Sequence, residues 1–501
     1  MMSKRYRILL LTTLIISGCS MCYELIISAV SSYLLGNSLL QYSITIGLFM
    51  SALGLGSYIS RFFQKNLFNS LIKVELLIGV IGGFSAFTLF IANLYLTSYH
   101  LVMYIEIISI GTLAGAEIPL LTRIIENDER NLKLTISSIF SFDYIGSLIG
   151  AVAFPLLLMP QLGYFSTSFL CGFLNIFAGT IIVWRYSENI KNANIYKFIT
   201  LILAIVMLFG MLFSDKLSDN IENNLYRDKV IFKKQTLYQK IVVTKHKDDT
   251  RLYIDGNCQF SSLDEYRYHE AIVHIPMSQL ENKKDILILG GGDGLALREI
   301  LKYSVDSVDL VDLDKDMIEV CKNNPNLSTL NKNSLKSDKV KFHIVDAYEF
   351  LKKNKKKYDL IIVDLPDPNS EVLNKLYSNV FYGMCKSSLK KDGILVSQST
   401  SPYYAPKAFW CINKTISSVG FNVKPYHLEV PAFGDWGFNM ARMSKFKDTY
   451  EINVDTRFLS KDNIKSLFSF AKDEVNLDVD VNSLTKPVLM QYYNNAVENW
   501  R

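Results

Sequence analysis

Ile286-Leu-Ile-Leu-Gly-Gly-Gly-Asp-Gly294 is an apolar strand that runs straight into four glycines interrupted by one aspartate, and Asp312 and Asp314 follow after a second short strand. Glycines let the backbone turn tightly and approach a ligand closely, and an acidic residue about 20 positions further on is placed to hydrogen-bond a ribose hydroxyl pair. The pattern predicts a held nucleoside with a cation beside it. A dinucleotide fingerprint needs glycine at the sixth position, where this chain has Leu295, and Asp293 would aim a carboxylate at the pyrophosphate. NAD and FAD are therefore discounted.

Outward from this stretch, short buried strands alternate with helical segments: Ile286–Leu289, Ser307–Val311, Val340–Ile344, Leu360–Val363 and Gly393–Ser397. That alternation predicts a doubly wound α/β sheet, in which ligands bind at the carboxyl ends of the strands. The residues just after those strands are Asp293, Asp312, Asp346, Asp364 with Asp367, and Gln398. One aspartate in such a place is often only a helix cap. Five together make an acidic crevice that repels anions and favours amines and sulfonium cations, by roughly 1 to 4 kcal/mol per close pair.

Upstream, residues 222–277 alternate apolar and polar, with turn signals at Lys247-Asp248-Asp249 and Asp255-Gly256, and predict a small antiparallel β-domain. Downstream of about 446, Asn463–Ala471 and Val488–Val497 are predicted helices that pack on the core and carry no catalytic pattern. The first 214 of 501 residues read differently, as an all-α polytopic membrane domain. Apolar runs long enough for about 30 Å of hydrocarbon occur near 8–31, 40–60, 74–97, 100–122, 135–158, 163–184 and 198–214. The first is read as a retained helix, because it lacks a small-residue cleavage site and more apolar segments follow it.

Lys4, Arg5, Arg7, Arg61, Lys65, Arg123, Arg130, Lys133, Arg185 and Lys191 fall on alternate sides, while the loops near 33–39 and 159–163 carry no charge. The positive-inside rule puts the amino terminus in the cytoplasm, so seven spans put the soluble part outside. Glu24, Glu106, Glu117 and Asp143 lie within the spans, where carboxylates are expensive. They mark a polyamine or cation path, or else interhelical hydrogen bonds that hold the bundle together.

The net charge of +5 is modest, and no basic stripe with interleaved aromatics points to nucleic acid. The seven cysteines have neither metal spacing nor a disulfide framework, so no metal site is expected.

The soluble part from about 222 to 501 resembles the spermidine synthases, the polyamine aminopropyltransferases. The resemblance rests on Leu237-Tyr238-Gln239, Leu252-x-Ile254-Asp255-Gly256-x-x-Gln259, Asp264-Glu265-x-x-Tyr268-His269-Glu270 and His274-x-Pro276. It continues through Gly290-Gly-Gly-Asp293-Gly294 with Arg298-Glu299, Asp346, Ile361-Ile-Val-Asp364-x-x-Asp367-Pro368, Leu376-Tyr377 with Phe381-Tyr382, and Gln398-x-x-Ser401-Pro402. The hydrophobic half resembles the membrane-anchored branch of that family, as does Phe433-Gly-Asp-Trp436-Gly437-Phe438.

The resemblance implies a Rossmann-like (class I methyltransferase-like) catalytic domain over 283–501, with a helical extension at its carboxyl end. It implies transfer of the aminopropyl group of decarboxylated S-adenosylmethionine, a co-substrate, to putrescine, with no prosthetic group. Asp364 would accept the amine's proton or orient it, and Tyr268 would position it. Asp293 would bind the donor's amino group, Asp312 the ribose and Asp346 the adenine edge, with Ala347 beside it. Gln239 and His269 would face the nucleoside or propyl arm, and Gly290 and Gly292 would let the backbone approach the donor. Asp367, Gln398, Phe433 and Trp436 would line the acceptor channel. Three departures weaken the acceptor side more than the donor side: Asp312 where glutamate is usual, Ala347 where glycine is usual, and Phe433 where soluble members have tyrosine.

Two other readings compete. One is an amine N-methyltransferase, against which Asp293 and Asp364 argue because intact S-adenosylmethionine carries a carboxylate. The other is a membrane polyamine sensor or transporter with a retired synthase domain, against which the intact Asp364 and Tyr268 argue. A cell-membrane, multi-pass protein embedded in lipid is expected, with a homodimer implied only by the family's habit of self-association. The donor's supply calls for a cytoplasmic catalytic domain and the charge bias for an external one; a re-entrant 198–214 would reconcile them.

Overall fold

The computed structural model describes residues 4–35, 38–96, 98–128, 132–226, 228–475 and 477–500. Arg130 lies outside the described residues, as do the side chains of Lys4, Arg5 and Lys133. The chain forms two compact units, Met1–Val230 and Ile231–Arg501.

The first unit is built of α1 (Lys4–Leu35), α2 (Ser38–Ile59), α3 (Leu67–Tyr95), α4 (Tyr99–Asp128), α5 (Leu132–Ala153), α6 (Met159–Arg185) and α7 (Ala193–Tyr226). Among the described residues six helical stretches are long and apolar enough to cross a membrane; one of them, Ile136–Arg185, is 50 residues long and takes in most of α5 and all of α6. A straight helix of that length would extend about 75 Å, so it cannot be one pass. The chain instead leaves helical geometry at Gly163 (φ 71°). There it folds back: Gly146 and Gly150 of α5 lie on Leu14 and Gly18 of α1, parallel to it, whereas Gly172 and Ile176 of α6 run antiparallel along Gly83 and Gly79 of α3. The re-entrant conformation considered for 198–214 is not found, because α7 continues unbroken for 34 residues, well beyond residue 214.

In the second unit, β1 (Lys229–Gln235), β2 (Lys240–His246), β3 (Asp249–Ile254) and β4 (Asn257–Ser261) form a sheet in that order, in which β2–β3 and β3–β4 pair antiparallel. The β pattern stops earlier than the sequence suggested, since Glu265–Ser278 is a helix, α8. Residues His269 to Met277 are all buried, and the charged or polar His269, Glu270 and His274 among them interrupt the apolar positions, so α8 shows no helical stripe to read.

The larger sheet has the order β10-β11-β9-β8-β5-β6-β7. Its parallel core consists of β5 (Asp285–Gly290), β6 (Ser307–Asp312), β7 (Val340–Ile344), β8 (Tyr358–Asp364) and β9 (Leu389–Gln398). Alternate residues serve opposite faces: Ile286, Ile288, Leu360 and Ile362 pack into one core, and Leu287, Leu289, Ile361 and Val363 into the other. Burial on both faces explains the unbroken apolar runs, and each of these side chains contributes about 1.5–3 kcal/mol.

The antiparallel edge hairpin β10 (Asn422–Val430) and β11 (Gly434–Arg442) was not predicted. Its signal was the alternation of buried Tyr426, Leu428 and Val430 with Pro425, His427 and Glu429; Pro425 is tolerated because β10 is the sheet's edge. The helix predicted over 463–471 is only a 3₁₀ turn, Ile464–Phe468. Phe468 and Phe470 pack against Tyr426 and Phe409, and that packing overrides the local preference. The last helix runs over Val488–Trp500.

Candidate active site

Strand β5 has β6 on one side and β8 on the other, all three parallel, so the order in which strands are added reverses beside β5 and the crevice lies at the carboxyl ends of β5 and β8. Gly290 and Asp364 are partners in register there. A Cβ on Gly290 would stand 2.0 Å from the Asp364 carbonyl oxygen, and φ is +87°. One on Gly292 would stand 2.4 Å from Asp312 Oδ2. These glycines let three strand ends converge. Gly290→Ala is expected to cost about 2–6 kcal/mol through strain and overpacking; the thermal melt of the full-length protein and loss of turnover check it.

Asp364 is half-buried, and its Oδ1 accepts from the Tyr268 hydroxyl at 2.5 Å. No described residue donates to Oδ2. Burial, with the charge of Asp293, pushes Asp364 up to about 6. Burial beside Asp364 pushes the Tyr268 phenol well above its ordinary value, so it remains a donor. Tyr268 is held by ring contacts with His269 and Phe438, at 5.0 and 5.1 Å.

His269 turns Nδ1 to the Glu265 carbonyl and carboxylate, both at 2.8 Å. Burial opposes its charge, but Glu265 outweighs burial and holds it up to about 9. Glu265 is fixed by two hydrogen bonds from Arg298, at 2.8 and 2.9 Å, and Arg298 also donates to Glu299 at 2.8 Å. Glu299 meets His274 Nε2 at 2.9 Å, and His274 Nδ1 meets the Tyr303 hydroxyl at 2.9 Å.

Asp293 comes within electrostatic range of both Asp312 and Asp364 around the glycine turn. Asp293 Oδ1 accepts from Leu295 N at 2.8 Å, so the cap reading describes one of its oxygens. Asp312 Oδ1 takes Asp314 N at 2.9 Å, and burial with the charges of Asp314 and Asp293 pushes Asp312 up to about 7. The β1–β2 turn holding Gln239 is tied to this strand end through Thr236, whose hydroxyl donates to Asp314 at 2.7 Å and accepts from Gln239 N at 3.0 Å.

Asp346 stands apart from that trio. It caps the helix Ala347–Lys353, accepting from Tyr348 and Glu349 N, and pairs with Lys375 at 2.9 Å. Ala347 is buried as that helix's first residue. Gln398 donates to the Leu365 carbonyl at 2.7 Å, to the Tyr377 hydroxyl at 2.5 Å and to Asp367 at 3.5 Å. Burial pushes Asp367 up to about 6. Phe433 sits in the β10–β11 turn with its ring 5.3 Å from that of Trp436, whose buried Nε1 has no partner among the described residues.

Sequence reasoning missed Glu265 as the clamp on His269, Lys375 on Asp346, and Tyr377 as the hub of the Asp367 loop. It also missed Tyr493, whose hydroxyl donates to Asp367 at 2.9 Å from the last helix. Glu265 and Tyr377 lay inside quoted motifs without a role. For Tyr493 no local signal exists, since only folding brings a residue 126 positions away onto Asp367.

A family model described as "Spermine/spermidine synthase domain" matches residues 265–454. A polyamine aminopropyltransferase of Oceanobacillus iheyensis is 38% identical over 494 residues, covering 97% of this chain and 96% of the relative. One of Leptospira interrogans is 37% identical over 486 residues and covers 97% of each chain. A solved spermidine synthase in complex with the transition state analogue AdoDATO aligns at a TM-score of 0.46 and 27% identity, covering 49% of this chain and 87% of that one.

Proposed function

This chain belongs to the polyamine aminopropyltransferase family, and we propose that it transfers the aminopropyl group of decarboxylated S-adenosylmethionine to putrescine, giving spermidine and 5′-methylthioadenosine. The observation that carries this reading is the Tyr268–Asp364 pair at the carboxyl end of β8, inside an acidic crevice.

The neutral acceptor nitrogen attacks the methylene carbon attached to sulfur. The N–C bond forms, the C–S bond breaks, and its electron pair stays on sulfur, which becomes the thioether of methylthioadenosine. Asp364 Oδ2 takes the proton that the acceptor's ammonium gives up to become that neutral nucleophile, while Tyr268 keeps Oδ1 fixed, and the product nitrogen leaves as a secondary ammonium. General-base help of this kind contributes about 10²- to 10⁴-fold, and in-line positioning supplies much of the rest. The donor is a reactive sulfonium, so no enzyme-bound intermediate is needed.

Asp293 takes the donor's ammonium with the oxygen not bound to Leu295, Asp312 the ribose and Asp346 the adenine amino edge in exchange for Lys375. Gln239 and the charged His269 flank the nucleoside and its arm. Asp367, held by Gln398 and Tyr493, receives the distal amine beside Phe433 and Trp436. A carboxylate on the donor would meet Asp293 and Asp364, so the crevice selects the decarboxylated form. Purified full-length protein given putrescine is expected to form spermidine and methylthioadenosine from decarboxylated donor, and neither from intact S-adenosylmethionine. Methylated amine from the intact donor would overturn the assignment.

The division into modules 1–214, 222–277 and 283–501 belongs to the same proposal, with the helical module as a multi-pass bilayer anchor. Its support is the six long apolar stretches, among them the folded-back 136–185. Seven passes and the positive loops put the carboxyl terminus outside. A carboxyl-terminal phosphatase fusion is expected to be active and a fluorescent-protein fusion dark. The opposite result would mean an even number of passes and a catalytic module facing the donor in the cytoplasm.

A further inference from the structure

The helical unit holds a second group of carboxylates that aminopropyl transfer does not use. Glu75 on α3 and Asn175 on α6 are fully buried and joined by one hydrogen bond, Asn175 Nδ2 to Glu75 Oε2 at 3.0 Å. Their other oxygens, Glu75 Oε1 and Asn175 Oδ1, have no partner among the described residues. Glu117 on α4 is 6% exposed, lies within electrostatic range of Glu75 and of Asp143 on α5, and likewise leaves Oε1 unpaired. Tyr23 on α1, fully buried, lies within range of Glu75, and its hydroxyl is also unpaired.

Four helices thus send polar groups toward one place. A purely structural role would show those groups satisfying each other, as Ser17 and Asp143 do. Here the unpaired atoms of Glu75, Asn175 and Glu117 are all oxygens of a carboxylate or amide, which accept hydrogen bonds from a donor. Among the described residues no lysine or arginine pairs with them, so these acceptors call for a donor. No three His, Cys, Asp or Glu side chains among the described residues group here as a metal ion's ligands. An ammonium group donates up to three hydrogen bonds and carries the missing charge. A second acidic layer follows on the same face of α4: Glu106, three turns from Glu117 and about 16 Å away, takes a hydrogen bond from Thr88 and leaves Oε2 unpaired. Negative charge spread along an axis matches positive charge spread along a methylene chain.

We infer that the core of the helical unit binds an organic polycation with two or more ammonium groups, which donate to Glu75, Asn175 and Glu117 beside the Tyr23 ring. The site lies within the first unit and stands whether or not the crevice of the second unit carries out aminopropyl transfer.

The test uses full-length protein in lipid nanodiscs with radiolabelled spermidine as the probe. Binding is measured in an Asp364→Asn/Asp367→Asn background, which removes two carboxylates of the crevice. Saturable binding is expected there, weakened at least tenfold by adding Glu75→Gln or Glu117→Gln, about the loss of one charged hydrogen bond. In the otherwise unaltered protein the same glutamine variants should keep turnover, which reports that they fold. Asn175→Ala, which leaves every charge in place, is expected to weaken binding too. Absence of saturable binding in the background protein, binding that survives both glutamine substitutions, or losses of binding and turnover in parallel would overturn the inference.

Discussion

Asp364→Asn is expected to lower kcat by about 10²- to 10⁴-fold while the KM for donor changes by no more than about threefold. Asparagine keeps the acceptor for the Tyr268 hydroxyl, which meets Asp364 Oδ1 at 2.5 Å, so the ring stays in place. What disappears is the atom that takes the proton, since an amide nitrogen cannot accept one. Single-turnover formation of methylthioadenosine measures the effect, and a matching loss in binding rather than rate would count against Asp364 as the base.

The same carboxylate predicts two pH effects. As the base it must be ionised, so kcat/KM of the wild-type protein should fall on the acid side with a midpoint near 6, the value to which burial and Asp293 raise it. That limb should be missing from the residual rate of the asparagine variant. For stability the sign runs the other way. The folded-state value lies above the unfolded one, so the contribution is fully present below about pH 4 and is lost as pH rises through about 6. At pH 7 Asp364→Asn should therefore stabilise the protein, by about 1 to 3 kcal/mol. A higher melting temperature with a collapsed rate would show that the site holds its charge at the expense of the fold.

The second large effect is on stability. Arg298→Ala should destabilise the protein by about 3–5 kcal/mol, because it leaves two buried carboxylates, Glu265 and Glu299, without their shared cation. Arg298 forks between them, with three donor contacts of 2.8–2.9 Å and a further one to the Leu330 carbonyl at 2.8 Å. Burial opposes ionisation at both, yet His269 and Arg298 hold Glu265 below its ordinary value, and His274, Lys302 and Arg298 hold Glu299 well below it. Groups shifted down contribute stability above their unfolded value near 4.3, and it is lost as pH falls through the folded one. The difference between wild type and Arg298→Ala should accordingly narrow in acid. Lysine at this position restores a charge without the planar fork and should recover only part of the loss. Thermal melts of the solubilised full chain at several pH values check all three. Because Glu265 also clamps His269, a rise in donor KM is expected alongside the lost stability.

Much of this site was legible from residue order. The strand into Gly290-Gly-Gly-Asp293-Gly294 and the aspartates after successive strands gave the crevice its place and its sign, because a parallel sheet sends every strand end to one edge. The cap reading and the ligand reading could not be separated that way. Asp346 spends its oxygens on a helix start and Lys375, whereas Asp364 keeps one oxygen uncommitted, and both are simply aspartates after strands. The helix α8 was hidden because its buried positions include His269, Glu270 and His274, which break an apolar stripe, and the β10–β11 hairpin because its alternation is interrupted by proline and charge on an edge strand.

By itself, the sequence determined the apolar first half, the parallel sheet, the acid crevice and the family to which the chain belongs, since each is carried by local periodicity or by motifs that need little context. The tertiary structure alone decided which carboxylates meet. It brought Tyr268 onto Asp364 across 96 positions, Tyr493 onto Asp367 across 126, and Asn175 onto Glu75 across 100. Such pairings depend on how helices and strands pack in three dimensions, and no spacing along the chain encodes them. The charge each group carries follows from those pairings and from its distance to water.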